Sequence, residues 1–180
     1  KGDNLYDFST AVPENTIGLY TLKAKWVLSN VSTESGLYEA INAGITSIKL
    51  IGDIKLSKTL TLTNKDITLD LNGHTLTGNV KLSSQNLLVK TSLTLTDSNP
   101  TATHTDKTLP LGGVLDGSIT LTKTSIGYSS SLYANGGTVT GQVSLSNNFA
   151  IIHCTSSTPT AFRGSVDGTG EIHGGMFYDY

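Results

Sequence analysis

One seven-residue figure returns along this chain: apolar, any residue, Gly, any residue, apolar, any residue, Leu. It stands in full at 76–82 (LTGNVKL), 115–121 (LDGSITL) and 139–145 (VTGQVSL), and 162–166 (FRGSV) carries most of it. Its glycines, Gly78, Gly117, Gly141 and Gly164, lie 39, 24 and 23 residues apart. The first interval exceeds the second by 15, the length of the polar stretch 97–111, so setting that stretch aside leaves a period of about two dozen residues. Gly-Gly pairs at 112–113, 136–137 and 174–175 support the repeat, although the last is out of step with Gly164. Short strands and bends at such a period suit a parallel β-helix, in which each coil closes a circuit and lays its next strand ~4.8 Å from the previous one. The fold class expected is therefore all-β, a right-handed parallel β-helix or solenoid. Each repeat glycine then serves a bend of positive φ or a place where stacked coils leave no room for a Cβ.

The local pattern agrees. Ile67, Leu69 and Leu71 alternate with Thr68 and Asp70, Asn72-Gly73 breaks the run, and apolar residues resume at Leu76, Val80 and Leu82. By the same reading, strands are expected at 47–51, 59–63, 67–71, 76–82, 87–89, 93–96, 114–121, 138–145, 150–154, 162–166 and 171–178. The stretch 97–111, with Asn99, Pro100, His104 and Pro110, has no periodicity and reads as a surface loop. One helix is expected at 36–43: Ser35 is its candidate N-cap, Leu37, Ala40 and Ile41 share a face, and Gly44 ends it. So short a helix needs a surface to lie on, and capping the first coil supplies one.

Composition narrows the class of partner. Apolar residues make up 37% and charged residues 14%, while Ser and Thr fill roughly a quarter of the chain, as suits strands with one wetted face. Net charge is −2 with Lys and Arg scattered singly, which supplies no basic stripe for nucleic acid. No stretch is long and apolar enough to enter a membrane. The single cysteine, Cys154, follows an apolar run and reads as a small buried residue.

Two segments resemble known modules. Residues 6–12 (YDFSTAV) and 19–26 (LYTLKAKW) resemble the closing half of an internalin-type B repeat, a small β-grasp module of bacterial surface proteins. The resemblance implies a strand-pair remnant over 1–30, with 21–27 its surest strand, followed by a polar linker at 31–35. Asp53-Ile54, residues 67–76 (ITLDLNGHTL) and 93–98 (LTLTDS) resemble the first coils of right-handed, pectate-lyase-like β-helix domains in large surface proteins of gut bacteria. This second resemblance spans about 36–98 and implies a β-helix domain over 36–180, cut short at its C-terminal end. It also implies an extracellular place, on a bacterial surface or secreted, with signal and anchor outside the chain.

Chemistry is sparser than architecture. A β-helix hydrolase needs convergent carboxylates, and no Asp-Asp pair occurs. A lyase needs a base and acidic calcium ligands, and the one arginine, Arg163, has no acidic cluster near it in sequence. Asp116 and Asp167 fall at similar places beside repeat glycines and read as turn groups. His74 stands without partner Asp residues, while His153 and His173, 20 residues apart, could stack on neighbouring coils or, with Cys154, bind a metal. Tyr128, Tyr133, Phe177, Tyr178 and Tyr180 could form an aromatic platform for sugar rings or belong to the core; of these Tyr128, Tyr133, Tyr178 and Tyr180 are the candidate ligand-binding residues. No catalytic residue, metal or cofactor is expected. The function expected is non-enzymatic, a monomeric β-helix stalk or adhesin meeting a glycan or a host-surface protein. The alternatives are a polysaccharide lyase or glycoside hydrolase, and a pure spacer.

Overall fold

The computed structural model describes residues 29–85, 89–123, 129–146 and 150–178. The segment resembling a B repeat, 6–26, lies outside them, and so do Tyr128, Tyr180 and residues 87–88 of the expected strand 87–89; of the implied remnant 1–30 only the last two residues are described. Val89 belongs to no strand.

The described chain enters at β1 (Asn30–Val31), forms α1 (Glu34–Asn42) and then winds in coils of three strands. The first coil is β2 (Ser47–Leu50), β3 (Ile54–Lys55) and β4 (Leu60–Thr63), and the second is β5 (Asp66–Asp70), β6 (Thr75–Thr77) and β7 (Val80–Ser84). The third is β8 (Thr91–Thr96), β9 (Val114–Asp116) and β10 (Ile119–Lys123), and the fourth is β11 (Ser130–Ala134), β12 (Thr138–Val139) and β13 (Val143–Leu145). The fifth is β14 (Ala150–His153), β15 (Ala161–Phe162) and β16 (Val166–Gly168), after which β17 (Glu171–His173) and β18 (Met176–Phe177) follow. First strands stack with β1 into a seven-stranded sheet A, second strands into a six-stranded sheet B and third strands into a five-stranded sheet C. Every pairing is parallel, as a parallel β-helix requires.

The register turns sequence alternation into ladders. In sheet A, Ile67, Leu93, Leu132 and Ile152 align, and in sheet B, Leu76, Leu115, Val139 and Phe162 do. Sheet C contributes Leu62, Leu82, Leu121 and Leu145, and all three ladders meet in one buried core. Each such side chain contributes about 1.5–3 kcal/mol by leaving water.

The repeated figure is a corner. Residues 76–82, 114–121, 138–145 and 162–166, expected as single strands, are each two strands that bend at the repeat glycine from sheet B to sheet C. The alternation hides this, because the apolar residues on both sides of the bend point inward. A Cβ on Gly117 would overlap the carbonyl of Gly78, one on Gly141 the carbonyl of Gly117, and one on Gly164 the carbonyl of Gly141. The four corners thus stack backbone on backbone. The Gly-Gly pairs have a different place, just before the sheet B strands β9, β12 and β18, with Gly112, Gly137, Gly174 and Gly175 at positive φ. The step out of phase has a simple cause: β18 pairs with β15, and only residues 174–175 separate β17 from β18, where 154–160 separate β14 from β15. Residues 171–178, expected as one strand, are accordingly two.

Two further boundaries differ from expectation. The polar segment 29–35 is tied in, with Lys49 N–H donating to the Ser29 carbonyl (2.8 Å) and Ile51 N–H to that of Val31 (2.9 Å). The helix starts at Glu34, and its N-cap is Thr33, not Ser35: Thr33 is extended and its Oγ1 accepts from Gly36 N–H at 3.1 Å. Its apolar face, Leu37, Ala40 and Ile41, is buried in the core.

The loop between β8 and β9 begins at Asp97, as expected. That carboxylate binds it to the coil below, accepting from the N–H groups of Gly73 (2.8 Å), Asn99 (3.2 Å) and Gly113 (2.6 Å). His104 fixes the loop's far side, its Nε2 lying 2.6 Å from the Gly112 carbonyl and its Nδ1 3.2 Å from Thr75 Oγ1. The carbonyl can only accept, so Nε2 carries the proton and Nδ1 accepts from the Thr75 hydroxyl.

Candidate functional site

Sheet A's outer face carries the densest chemistry. Its register places Thr68, Thr94, Tyr133, His153 and His173 on one outward rank, one residue per coil. The rings of Tyr133 and His153 stack at 4.8 Å between centroids and 14° between planes, and those of His153 and His173 at 5.5 Å and 13°. The spacing is the strand spacing, so the backbone sets the stack. Lys90, just before β8, holds its ammonium 5.5 Å from the Tyr133 ring centre. At the other end Glu171 Oε2 lies 3.0 Å from His173 Nε2, and both residues are exposed. Partial burial, then the neighbouring His173, then Lys90 push the pKa of His153 below its ordinary value, with Glu171 pulling the other way.

The stacking expected of His153 and His173 is thus present, and its geometry bears on metals. Parallel rings send their nitrogen lone pairs out side by side, so they do not converge on one ion. Cys154, the residue after β14, packs against the core and donates from Sγ to the Ala134 carbonyl at 2.9 Å. Burial raises its thiol pKa, against a smaller opposing effect of the Thr160 N–H. Among the described residues no group of three or more His, Cys, Asp or Glu is placed to hold a metal.

Of the candidate tyrosines, the two described, Tyr133 and Tyr178, stand on different faces. Tyr133 is on sheet A, whereas Tyr178 follows β18 on sheet B, where Arg163 lies 5.8 Å from its ring. Phe177 stacks on Phe162 at 5.2 Å as part of the inward ladder. On the outer rank of sheet B, Asp116 accepts from Thr140 Oγ1 at 2.7 Å, and the backbone bonds Thr140 N–H to Leu115 and Arg163 N–H to Val139 carry the rank on to Arg163. Asp116 and Arg163 are therefore two coils apart, roughly 10 Å along the axis. Asp167, by contrast, is on sheet C, aligned with Ser144 and bonded to Gln142 and Ser165. The similar place given to Asp116 and Asp167 on sequence grounds does not hold.

His74 does have an acidic neighbour. Asp53, one coil earlier, lies 3.5 Å from its Nδ1 while accepting Thr75 N–H at 2.8 Å. The sequence hides such partners because they meet only through the register. Lys90 was missed for that reason too, whereas Glu171, two residues before His173 on β17, was open to a reading of alternation along the strand. A further polar knot joins Lys49, Asp70, Asn72 and Ser98: Lys49 Nζ is 3.0 Å from Ser98 Oγ and 3.6 Å from Asp70 Oδ2. Burial raises the Asp70 pKa, but hydrogen bonds from Ser98 and Asn72, with Lys49, outweigh it and leave a net lowering.

Among the described residues no helix is long and apolar enough to cross a membrane. Comparison with family models, curated proteins and solved structures finds no match for this chain.

Proposed function

We propose that this chain is a β-helix stalk or adhesin of a bacterial surface or secreted protein, using its outer face to meet a glycan or a host-surface protein. The observation that carries the reading is the outward rank Tyr133–His153–His173 with Lys90 beside it, on a face that also carries Thr68, Thr94, Ile151 and the charged Lys49, Asp66, Asp70 and Glu171. Ring edges and imidazole nitrogens in line with the axis offer apolar contact and hydrogen bonds together, a combination that a sugar surface can meet. The resemblance of 36–98 to β-helix domains of surface proteins, and of 6–26 to a B repeat, supports the same setting. Carboxylates spread over different sheets, such as Asp116 and Asp167, favour binding over bond cleavage.

The test is a broad panel of immobilised glycans and host-surface proteins, probed with this chain and its Tyr133→Ala variant, alongside turnover assays on acidic polysaccharides with and without calcium. Retention that Tyr133→Ala weakens is the expected result. Silence across the panel would leave the spacer reading, and product release would restore the enzyme reading.

A further inference from the structure

Four of the seven large apolar side chains exposed among the described residues stand together on the last coil: Ile172, Met176, Phe177 and Tyr178. There β16, β17 and β18 are the outermost strands of sheets C, A and B, and each pairs on one side only. Their inward residues, Val166, Ile172 and Phe177, continue the core ladders, and none of the three strands carries the Lys or Pro with which exposed edges resist pairing. Over the first coil the corresponding place is taken by α1. A copy of this chain can therefore add to the ladders in one way, last coil to last coil.

Symmetry makes that contact self-complementary. A two-fold axis normal to sheet A sets β17 antiparallel to the β17 of a copy. The coil rises steadily, with β16 a third of a turn before β17 and β18 a third after it. The same axis therefore brings β18 beside the copy's β16 at the ~4.8 Å that separates the two β17 strands. Residues directly opposite in an antiparallel pair share a face, which selects the register. Centred on Ile172, the axis sets Ile172 against its own copy inside and Glu171 against the copy's His173 outside; one residue either way would set Ile172 against Gly170 or Gly174. Glu171 already lies 3.0 Å from the His173 of its own chain, so carboxylates and imidazoles alternate round the axis and no like pair is directly opposed.

We propose that this chain pairs with a second copy of itself through β16, β17 and β18 in a closed two-fold dimer. Because α1 covers the first coil of each copy, the contact stops at two and builds no filament. It spans a single coil's cross-section, so dilution separates the copies and leaves the last coil open. The inference rests on these edges and not on the contact reading above: a silent panel of glycans does not touch it, and a chain that stays single does not touch that reading.

Mass measured by sedimentation equilibrium over about a hundredfold range of concentration tests it. The expected result is a rise from one chain to two that stops at two. Ile172→Lys should hold the chain at one, whereas Leu111→Lys, at an exposed apolar residue of the β8–β9 loop, should leave the rise in place. Because Ile172→Lys could disturb the last coil, a milder change reads the register directly. Ile172→Cys, on the axis, should join to its copy under mild oxidation, and Lys81→Cys, exposed on sheet C, should not. A single chain at every concentration, growth past two, a dimer that survives Ile172→Lys, or Lys81→Cys joining as readily as Ile172→Cys each overturns this inference.

Discussion

Among the described residues, the first and last coils of the β-helix carry the same ladders and differ in what covers them. At one end α1 lies across the first coil and Leu37, Ala40 and Ile41 close the core, Leu37 being only 1% exposed. At the other, the inward residues of the last strands face outward along the axis: Ile172 is 45% and Phe177 49% exposed. There Ile172, Phe177, Tyr178, Arg163 and Val166 line an open cavity of about 400 Å³. Ladder position alone therefore does not decide what a residue contributes. Ile172 continues the ladder of Ile152, but the second is covered on both sides and the first on one. Stability in a solenoid is a sum over neighbouring rungs, so a rung with one neighbour is held less firmly than one with two.

The largest effect is expected in the middle, where both neighbours are present. Gly117→Ala sets a methyl group against the Gly78 carbonyl, and since the obstacle is backbone, the corner must open. Loss of the cooperative urea transition is the expected outcome, and a midpoint within error of the unaltered chain would refute the stacked-corner account. Leu37→Ala comes next. It removes a fully buried side chain from the cap and should cost about 2–5 kcal/mol by urea denaturation. Between Leu37→Ala and Ile172→Ala falls Thr33→Ala, which takes away the N-cap and should cost about 1 kcal/mol in the same assay. Ile172→Ala, at the uncovered end, should cost under about 1 kcal/mol. Equal losses at Leu37 and Ile172 would mean that the ends are equivalently held.

That ordering also explains what the sequence made legible. The repeat glycines announced the coil because Gly117, Gly141 and Gly164 each meet the same steric demand from the glycine one coil earlier, and a demand repeated three times survives variation elsewhere. The location of the bend did not show, since Leu76 and Val80 both point inward whether the chain runs straight or turns at Gly78. The helix was visible from its buried face, but Thr33 was passed over for Ser35 because both hydroxyls precede the apolar face and only backbone geometry separates them. The stack of His153 on His173 could be read from their separation of 20 residues, near one coil. The Asp53–His74 pair could have been found in the same way. It was missed because a partner was sought close by in sequence, although β3 pairs with β6 one coil on, Ile54 aligning with Leu76.

Acid should separate the two ends without any substitution. Towards the open end, the pKa of His153 is lowered by burial, His173 and Lys90, so the folded chain resists a proton that the unfolded chain accepts. Its contribution to stability is full above the ordinary histidine value of about 6.5 and is lost as pH falls below it. Nearer the cap, the lowered pKa of Asp70 works in a later window: its contribution is full above the ordinary aspartate value of about 3.9 and is lost only as pH falls further, through the folded value. Backbone hydrogen exchange, corrected for its intrinsic pH dependence, should then show protection declining around β14 and β17 between about pH 7 and 5, with β2 and β5 unchanged until stronger acid. His153→Gln should flatten the first decline and leave the second, whereas a uniform loss of protection along the helix would mean that the rungs open together and the ends are not separately held.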